Sequence, residues 1–191
     1  MENDIKIMPE AFVCEESSLR GDITISTGCI VHPSATIIAE SGPIVIGKNC
    51  IIEEYATIIH RVPKTHPSYD PHKTPVLIIG ANNHFEVGCR VEALKVGERN
   101  VFESKSYVSP FVEITNFCII GAGCRVEGER KLAENSVIYG KNCFEREAID
   151  KHAPLKPQIA CLRKILPNFH HLRKVTFDPK KLREQGLEQQ S

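Results

Sequence analysis

Bulky apolar residues fall every six positions through residues 96–138: Val96, Phe102, Val108, Ile114, Ile120, Val126, Leu132 and Ile138. Neither a 3.6-residue helix nor a lone amphipathic strand requires that step. With 41% of the chain hydrophobic, eight in a row at one register arises by chance about once in a thousand tries. The same step recurs upstream as Ile79, Phe85 and Val91, as Ile46, Ile52 and Ile58, and as Ile7, Val13, Leu19, Ile25, Val31 and Ile37, with the register reset between sets. A period held through most of the chain is the mark of a repeat architecture, and an ordinary β-sandwich of short strands would not keep it.

The position four after each large residue is usually small: Ala11, Ser17, Cys29, Ala35, Ser41, Cys50, Ala56, Cys89, Ser106, Cys118, Cys124 and Ser136. It precedes the next large residue by two, so on a strand both point the same way, which must be inward. Between strands stand residues that tolerate a left-handed backbone, namely Asp22, Gly28, Asn49, Asn82, Gly88, Gly123 and Asn135, as a turn every six residues needs. Three strands and three turns close a triangle in about eighteen residues. Stacked in parallel at roughly 4.8 Å, the repeats predict about six to seven triangular coils and a prism on the order of 30 Å long.

The predicted organisation is an all-β repeat domain over 1–150, a helix over 154–175, and a disordered tail over 176–191 rich in Gln, Lys and Glu. Ser41, Gly42 and Pro43 add three residues before Ile46 resumes the count, which predicts a small outward bulge. The largest interruption is 60–75, HRVPKTHPSYDPHKTP, whose prolines 63, 67, 71 and 75 remove ladder donors and predict an exposed, polyproline-leaning loop. The pattern fades through Lys141 to His152. In PLKPQIACLRKILPNFHHLRKV, Ile159, Leu162, Ile165, Leu166, Phe169 and Leu172 recur at three- and four-residue spacings, predicting an amphipathic helix kinked or divided at Pro167 that lies against a face or the last coil. A β-helix ends in an open strand edge, so some cover is expected.

Lys plus Arg and Asp plus Glu both number 24, for no net charge, which gives no sign of a nucleic-acid surface. No apolar run approaches the ~20 residues of a membrane span, and Met1 to Lys6 is too polar for a signal peptide, so a cytoplasmic protein is expected. Of the eight cysteines, at 14, 29, 50, 89, 118, 124, 143 and 161, no two form a C-x-x-C and five occupy the small inward slot. They read as small core residues in a reducing compartment. His60, His66 and His72 lie six apart in the proline loop with no thiol or carboxylate in a matching frame. His84 reads as a surface residue, and no carboxylate stands at a spacing that would orient His32. The residues nominate no catalytic, cofactor-binding or metal-ligating set.

The six-residue period resembles the hexapeptide repeat of left-handed parallel β-helices. The hand is implied by that resemblance, since the general rule for parallel crossovers is right-handed. Such folds include homotrimeric acyltransferases and γ-class carbonic anhydrases. The anhydrase-like branch is resembled by Arg20-Gly21-Asp22 and by Ile52-Glu53-Glu54. Its zinc needs three neutral imidazoles and an open water position. Where that pattern has Ile-Gly-His this chain has Val87-Gly88-Cys89, and Ala93-Leu94-Lys95 replaces Leu-His-Gly.

More specific strings, GPIVIGKNCIIEE at 42–54, NNHFEVGC at 82–89, ESKSYV at 103–108, IIGAGCRV at 119–126, ENSVIYG at 134–140 and KILPNFHHLRK at 164–174, resemble the dynactin subunit 6 family of hexapeptide-repeat subunits. That resemblance implies a non-catalytic structural subunit of the dynactin pointed-end complex without cofactor or metal. It implies pairing with the β-helical dynactin subunit 5, company with actin-related protein 11 and dynactin subunit 4, and indirect support of dynein and its cargo adaptors. Nucleic acid and membrane insertion are not expected.

Overall fold

A computed structural model describes residues 3–65, 70, 74–149 and 153–176. Three sheets, parallel except for the last strand of the second, form the faces of a triangular prism. The first face has seven strands from Asp4–Ile7 to Arg130–Lys131, the second eight from Phe12–Val13 to Phe144–Glu147, and the third six from Ser18–Arg20 to Arg125–Val126. The chain visits the faces in rotation, so the neighbours within each sheet come from successive coils. This is a left-handed parallel β-helix of about seven turns. Of the tail predicted over 176–191, all but Thr176 lies outside the described residues.

The six-residue period is the corner-to-corner step. Large residues stack in register up the interior, as in Val31, Ile52, Phe85, Phe102 and Ile120. All are fully buried, and the Phe85 and Phe102 rings lie 4.7 Å apart at 8°. The small residues line the corners as expected, with one exception. Ser41 is half-buried and its Oγ accepts the Val62 N–H at 2.9 Å, because the three-residue insertion turns it outward.

Two of the corner slots hold asparagine rather than a small residue. Asn83 and Asn100 are fully buried. The Asn100 amide donates to the Thr115 carbonyl at 2.9 Å, its Oδ1 accepts the Cys118 N–H at 2.7 Å, and the Asn83 Oδ1 accepts the Asn100 N–H at 2.8 Å. Each side chain thus satisfies turn groups that the parallel ladder leaves over.

The turns adopt positive φ where predicted at Gly28, Asn49, Asn82, Gly88, Gly123 and Asn135. Asp22 does not, since it opens a strand and the left-handed residue is Gly21 at φ 91°. A Cβ at Gly21 would meet the Ala39 carbonyl at 2.5 Å, so both backbone and space require glycine there. Glu10, Ser34, Tyr55, Arg99, Lys105 and Phe117 take the same φ, 56–62°, in equivalent turns. Burial of the flanking strands imposes a conformation that costs roughly 1–2 kcal/mol per residue.

The ends of the prism are closed by antiparallel pairing. At one end Phe144–Glu147 folds back on Ser136–Tyr139, with Val137 opposite Arg146, in the region where the sequence pattern fades. At the other end residues 170–176 form a strap along the first coil. Glu15 N–H donates to the His171 carbonyl, Arg173 N–H to the Val13 carbonyl, and Ile7 N–H to Thr176 Oγ1. The helical stretch is shorter than its sequence pattern. Helix α1 spans Lys156–Ile165, a 3₁₀ turn carries Leu166–Asn168 through Pro167, and Leu172 already pairs with Cys14 as an antiparallel bridge. Helix α1 lies on the second face, where Ile159 and Leu166 bury against Cys14, Ile30 and Ile51, with Phe12, Leu155 and Leu162 around them. The ends are therefore closed by strands, and the helix covers a side.

Candidate functional site

Stacking brings together residues that are far apart in sequence. Glu53 and Glu54 follow the strand Ile51–Ile52 on the second face, and His32 follows Ile30–Val31 on the preceding coil. His32 Nδ1 lies 2.8 Å from Glu54 Oε1, and His84 Nε2 lies 2.8 Å from Glu53 Oε1. The expectation that no carboxylate orients His32, and that His84 is a plain surface residue, is thus corrected. Their partners stand 22 and 31 residues away along the chain, one coil away in space. Glu53 also accepts the Val87 N–H at 3.1 Å. The His84 hydrogen bond holds its carboxyl below the usual carboxylate range, with a smaller contribution from the charge of His32.

A third pair joins this row from the strap. His170 Nδ1 lies 3.0 Å from Glu16 Oε1. The Glu16 carboxyl is lowered first by its own backbone N–H and next by His170. Between the pairs the buried Cys14 thiol is pushed up to about 11 by desolvation and by the carboxylates of Glu16 and Glu54. Three histidine–carboxylate pairs thus lie on successive coils, and the one at Glu16 is completed by the C-terminal segment.

Such pairs contain the elements of a general base, but the geometry of the His32–Glu54 pair does not serve one. His32 is 7% exposed, and its free Nε2 is buried without a hydrogen-bond partner among the described residues. A base must reach the proton it removes, and this nitrogen faces no solvent. Among the described residues no three His, Cys, Asp or Glu side chains converge as metal ligands. Cys89, at the place of an anhydrase histidine, is fully buried in the core and its thiol is raised by desolvation. The Arg20-Gly21-Asp22 turn is structural: Gly21 N–H donates to Asn3 Oδ1 at 2.8 Å.

His60 belongs to the strand Thr57–His60 rather than to an exposed loop. It is 2% exposed, with Nε2 3.1 Å from the Pro75 carbonyl, so the far end of the loop caps it. His66 and His72 lie outside the described residues. Burial lowers the His60 pKa in spite of the Pro75 bond. The unfolded chain then takes up a proton first, so this contribution to stability is complete above pH ~6.5 and falls as the pH drops toward the folded value. We expect thermal unfolding scans between pH 7 and 5 to show a declining midpoint, and His60→Asn to flatten that decline whatever it does to the midpoint at pH 7.

Up the first face the outward residues run Thr24, Val45 and Ile78, followed by Lys95, Glu113 and Lys131 on the later coils. Ile78 is 58% and Val76 48% exposed. The third face presents Thr36, Thr57, Arg90, Tyr107 and Arg125 in register, with the Arg125 guanidinium 4.4 Å over the Tyr107 ring. On the second face, a cavity of about 360 Å³ opens beside the start of α1, among Asn82, Arg99, Val101, Leu155 and Lys156. Its described lining holds no carboxylate or histidine.

No protein-family model matches the sequence. Curated relatives do. The chain is 47% identical over 174 residues to dynactin subunit 6 of Danio rerio, covering 91% of this chain and 89% of that protein. It is 46% identical over 173 residues to dynactin subunit 6 of Xenopus tropicalis, covering 91% and 86%. Among solved structures, a hexapeptide transferase family protein from Anaplasma phagocytophilum superposes with a TM-score of 0.63 at 13% identity, over 86% of this chain and 87% of that one. At that identity the likeness is one of fold, not of chemistry.

Proposed function

This chain belongs to the dynactin subunit 6 family, and from that premise we propose that it is a non-catalytic structural subunit of the dynactin pointed-end complex in the cytoplasm. It pairs side by side with the β-helical subunit 5, sits with actin-related protein 11 and dynactin subunit 4, and supports dynein's engagement of cargo adaptors indirectly.

The observation that carries this reading is the first face. Its middle coil exposes Ile78 and Val76, and charges of both signs flank them at Lys6, Asp22, Lys95 and Glu113. An apolar centre with a mixed-charge rim is the anatomy of a protein interface. The second face is occupied by α1 over its first coils. The inward, unreachable Nε2 of His32 supports the non-catalytic part.

Affinity purification of the tagged full chain from cytosol tests it. The expected result is recovery of subunit 5, actin-related protein 11 and subunit 4 in fixed ratio, with subunit 5 lost from Ile78→Glu at an unchanged melting temperature. A lone homotrimer that carries zinc or transfers acyl groups would overturn the structural reading. Undiminished recovery of subunit 5 with Ile78→Glu would remove the first face as its seat.

A further inference from the structure

We propose that Cys124 and Cys143 are an oxidisable dithiol, and that a hydroperoxide converts them reversibly to a disulfide tying the terminal hairpin to the coil beneath it. Two turns meet here: Gly123 takes φ 67° just before Cys124, and Cys143 itself takes φ 51° on the coil above. Cys124 N–H donates to the Gly121 carbonyl at 2.9 Å, and Cys143 N–H donates to the Gly140 carbonyl at 3.0 Å. Each sulfur rests on the other's turn: Cys124 Sγ donates to the Gly140 carbonyl at 3.4 Å, and Arg125 N–H donates to Cys143 Sγ at 3.2 Å. Arg125 directly follows Cys124, so this contact places the Cys143 sulfur beside the Cys124 backbone. Stacked coils sit ~4.8 Å apart, inside the Cα separation of roughly 4.4–6.8 Å that a disulfide spans.

Access separates this pair from the other cysteines. Cys143 is half-buried at the corner of the last turn, whereas Cys124 beneath it is 2% exposed. Cys29 and Cys50 also interact, yet both are sealed in the core at 0%. Cys161 is exposed on α1. Cys143 is the sulfur that a peroxide can reach, so it reacts first, while desolvation and the neighbouring Cys143 push the buried Cys124 thiol up. Its thiolate attacks one peroxide oxygen: an S–O bond forms, the O–O bond breaks, and the departing hydroxide takes a proton and leaves as water. The Cys124 sulfur then attacks the sulfenic sulfur. The S–S bond forms, the S–O bond breaks, and the thiol proton leaves with the hydroxyl as a second water. Two thiols give up two electrons and two protons, and the peroxide is reduced to two waters. Two equivalents of a small thiol reverse the change.

The disulfide would hold the turn of the hairpin that closes this end of the prism. The test treats the full chain carrying Cys161→Ser with stoichiometric hydrogen peroxide, then maps alkylated and linked peptides by mass spectrometry. The expected product has lost two hydrogens, contains a Cys124–Cys143 linkage that dithiothreitol reverses, and leaves Cys29 and Cys50 free. Amides of residues 140–147 should then exchange several-fold more slowly, and Cys143→Ser should abolish both effects. Accumulation of Cys143 sulfinic acid without the linkage, or linkage of Cys124 to any other cysteine, would overturn the proposal.

Discussion

Phe102→Ala should lower the stability of the chain by about 3–5 kcal/mol, the range for emptying a fully buried aromatic site. Phe102 and Phe85 are both 0% exposed and stack ring on ring at 4.7 Å in the centre of the interior column. The coils above and below are fixed by ladder hydrogen bonds on all three faces, so the walls cannot close on the void. Against a total domain stability of about 5–15 kcal/mol, a loss of that size removes from about a fifth to all of the reserve. Equilibrium urea unfolding should show a much lower midpoint with the slope unchanged, and Phe102→Leu should recover most of the loss. A shift under ~1 kcal/mol would mean that the column repacks freely, against the rigidity argued for the coils.

Asn100→Leu should cost about 2–4 kcal/mol although it places an apolar side chain of similar size in an apolar core. The substitution strands the Cys118 N–H and the Thr115 carbonyl, each served by the Asn100 amide group, and every stranded buried group carries a desolvation penalty of ~1–3 kcal/mol. Asn100→Asp separates the two bonds. A carboxyl group still accepts from Cys118 but donates to Thr115 only when protonated, so this variant should gain stability relative to the parent as the pH is lowered from 7 toward 5. If the leucine variant unfolds at the parent's midpoint, the asparagines are passengers in the corner.

The coils were legible because each strand leaves a periodic trace: Val96, Phe102 and Val108 succeed one another at six, and stacking preserves the count. Asn83 and Asn100 were equally readable, since each stands four after a large residue, at Ile79 and Val96, in the slot that usually holds Cys, Ala or Ser. A polar residue in an inward slot is itself the sign of a turn whose backbone needs a partner. The His32–Glu54 and His84–Glu53 pairs were not readable, because coil lengths of 21 and more at the two insertions had to be known before residues 22 and 31 apart could be placed side by side. The terminal hairpin was missed for a different reason: Phe144–Glu147 is exposed throughout, so it leaves no apolar trace. The strap was hidden because its contribution is backbone hydrogen bonding to the first coil, to which side-chain patterns are blind.

That strap has a consequence for how the molecule is made. The Ile7 N–H is satisfied by Thr176, 169 residues later, so the edge of the first coil leaves the ribosome long before the segment that covers it. At about 5–20 residues per second, the intervening chain takes roughly 10–30 s to synthesise. During that interval the nascent protein carries an unprotected parallel edge and an uncovered patch at Ile30 and Ile51. A truncation before residue 156 would leave the open edge and the bare patch permanently. Such a product would meet the cell's chaperones and proteases as an aggregation-prone fragment, whereas the chain that reaches Thr176 is an insulated rod.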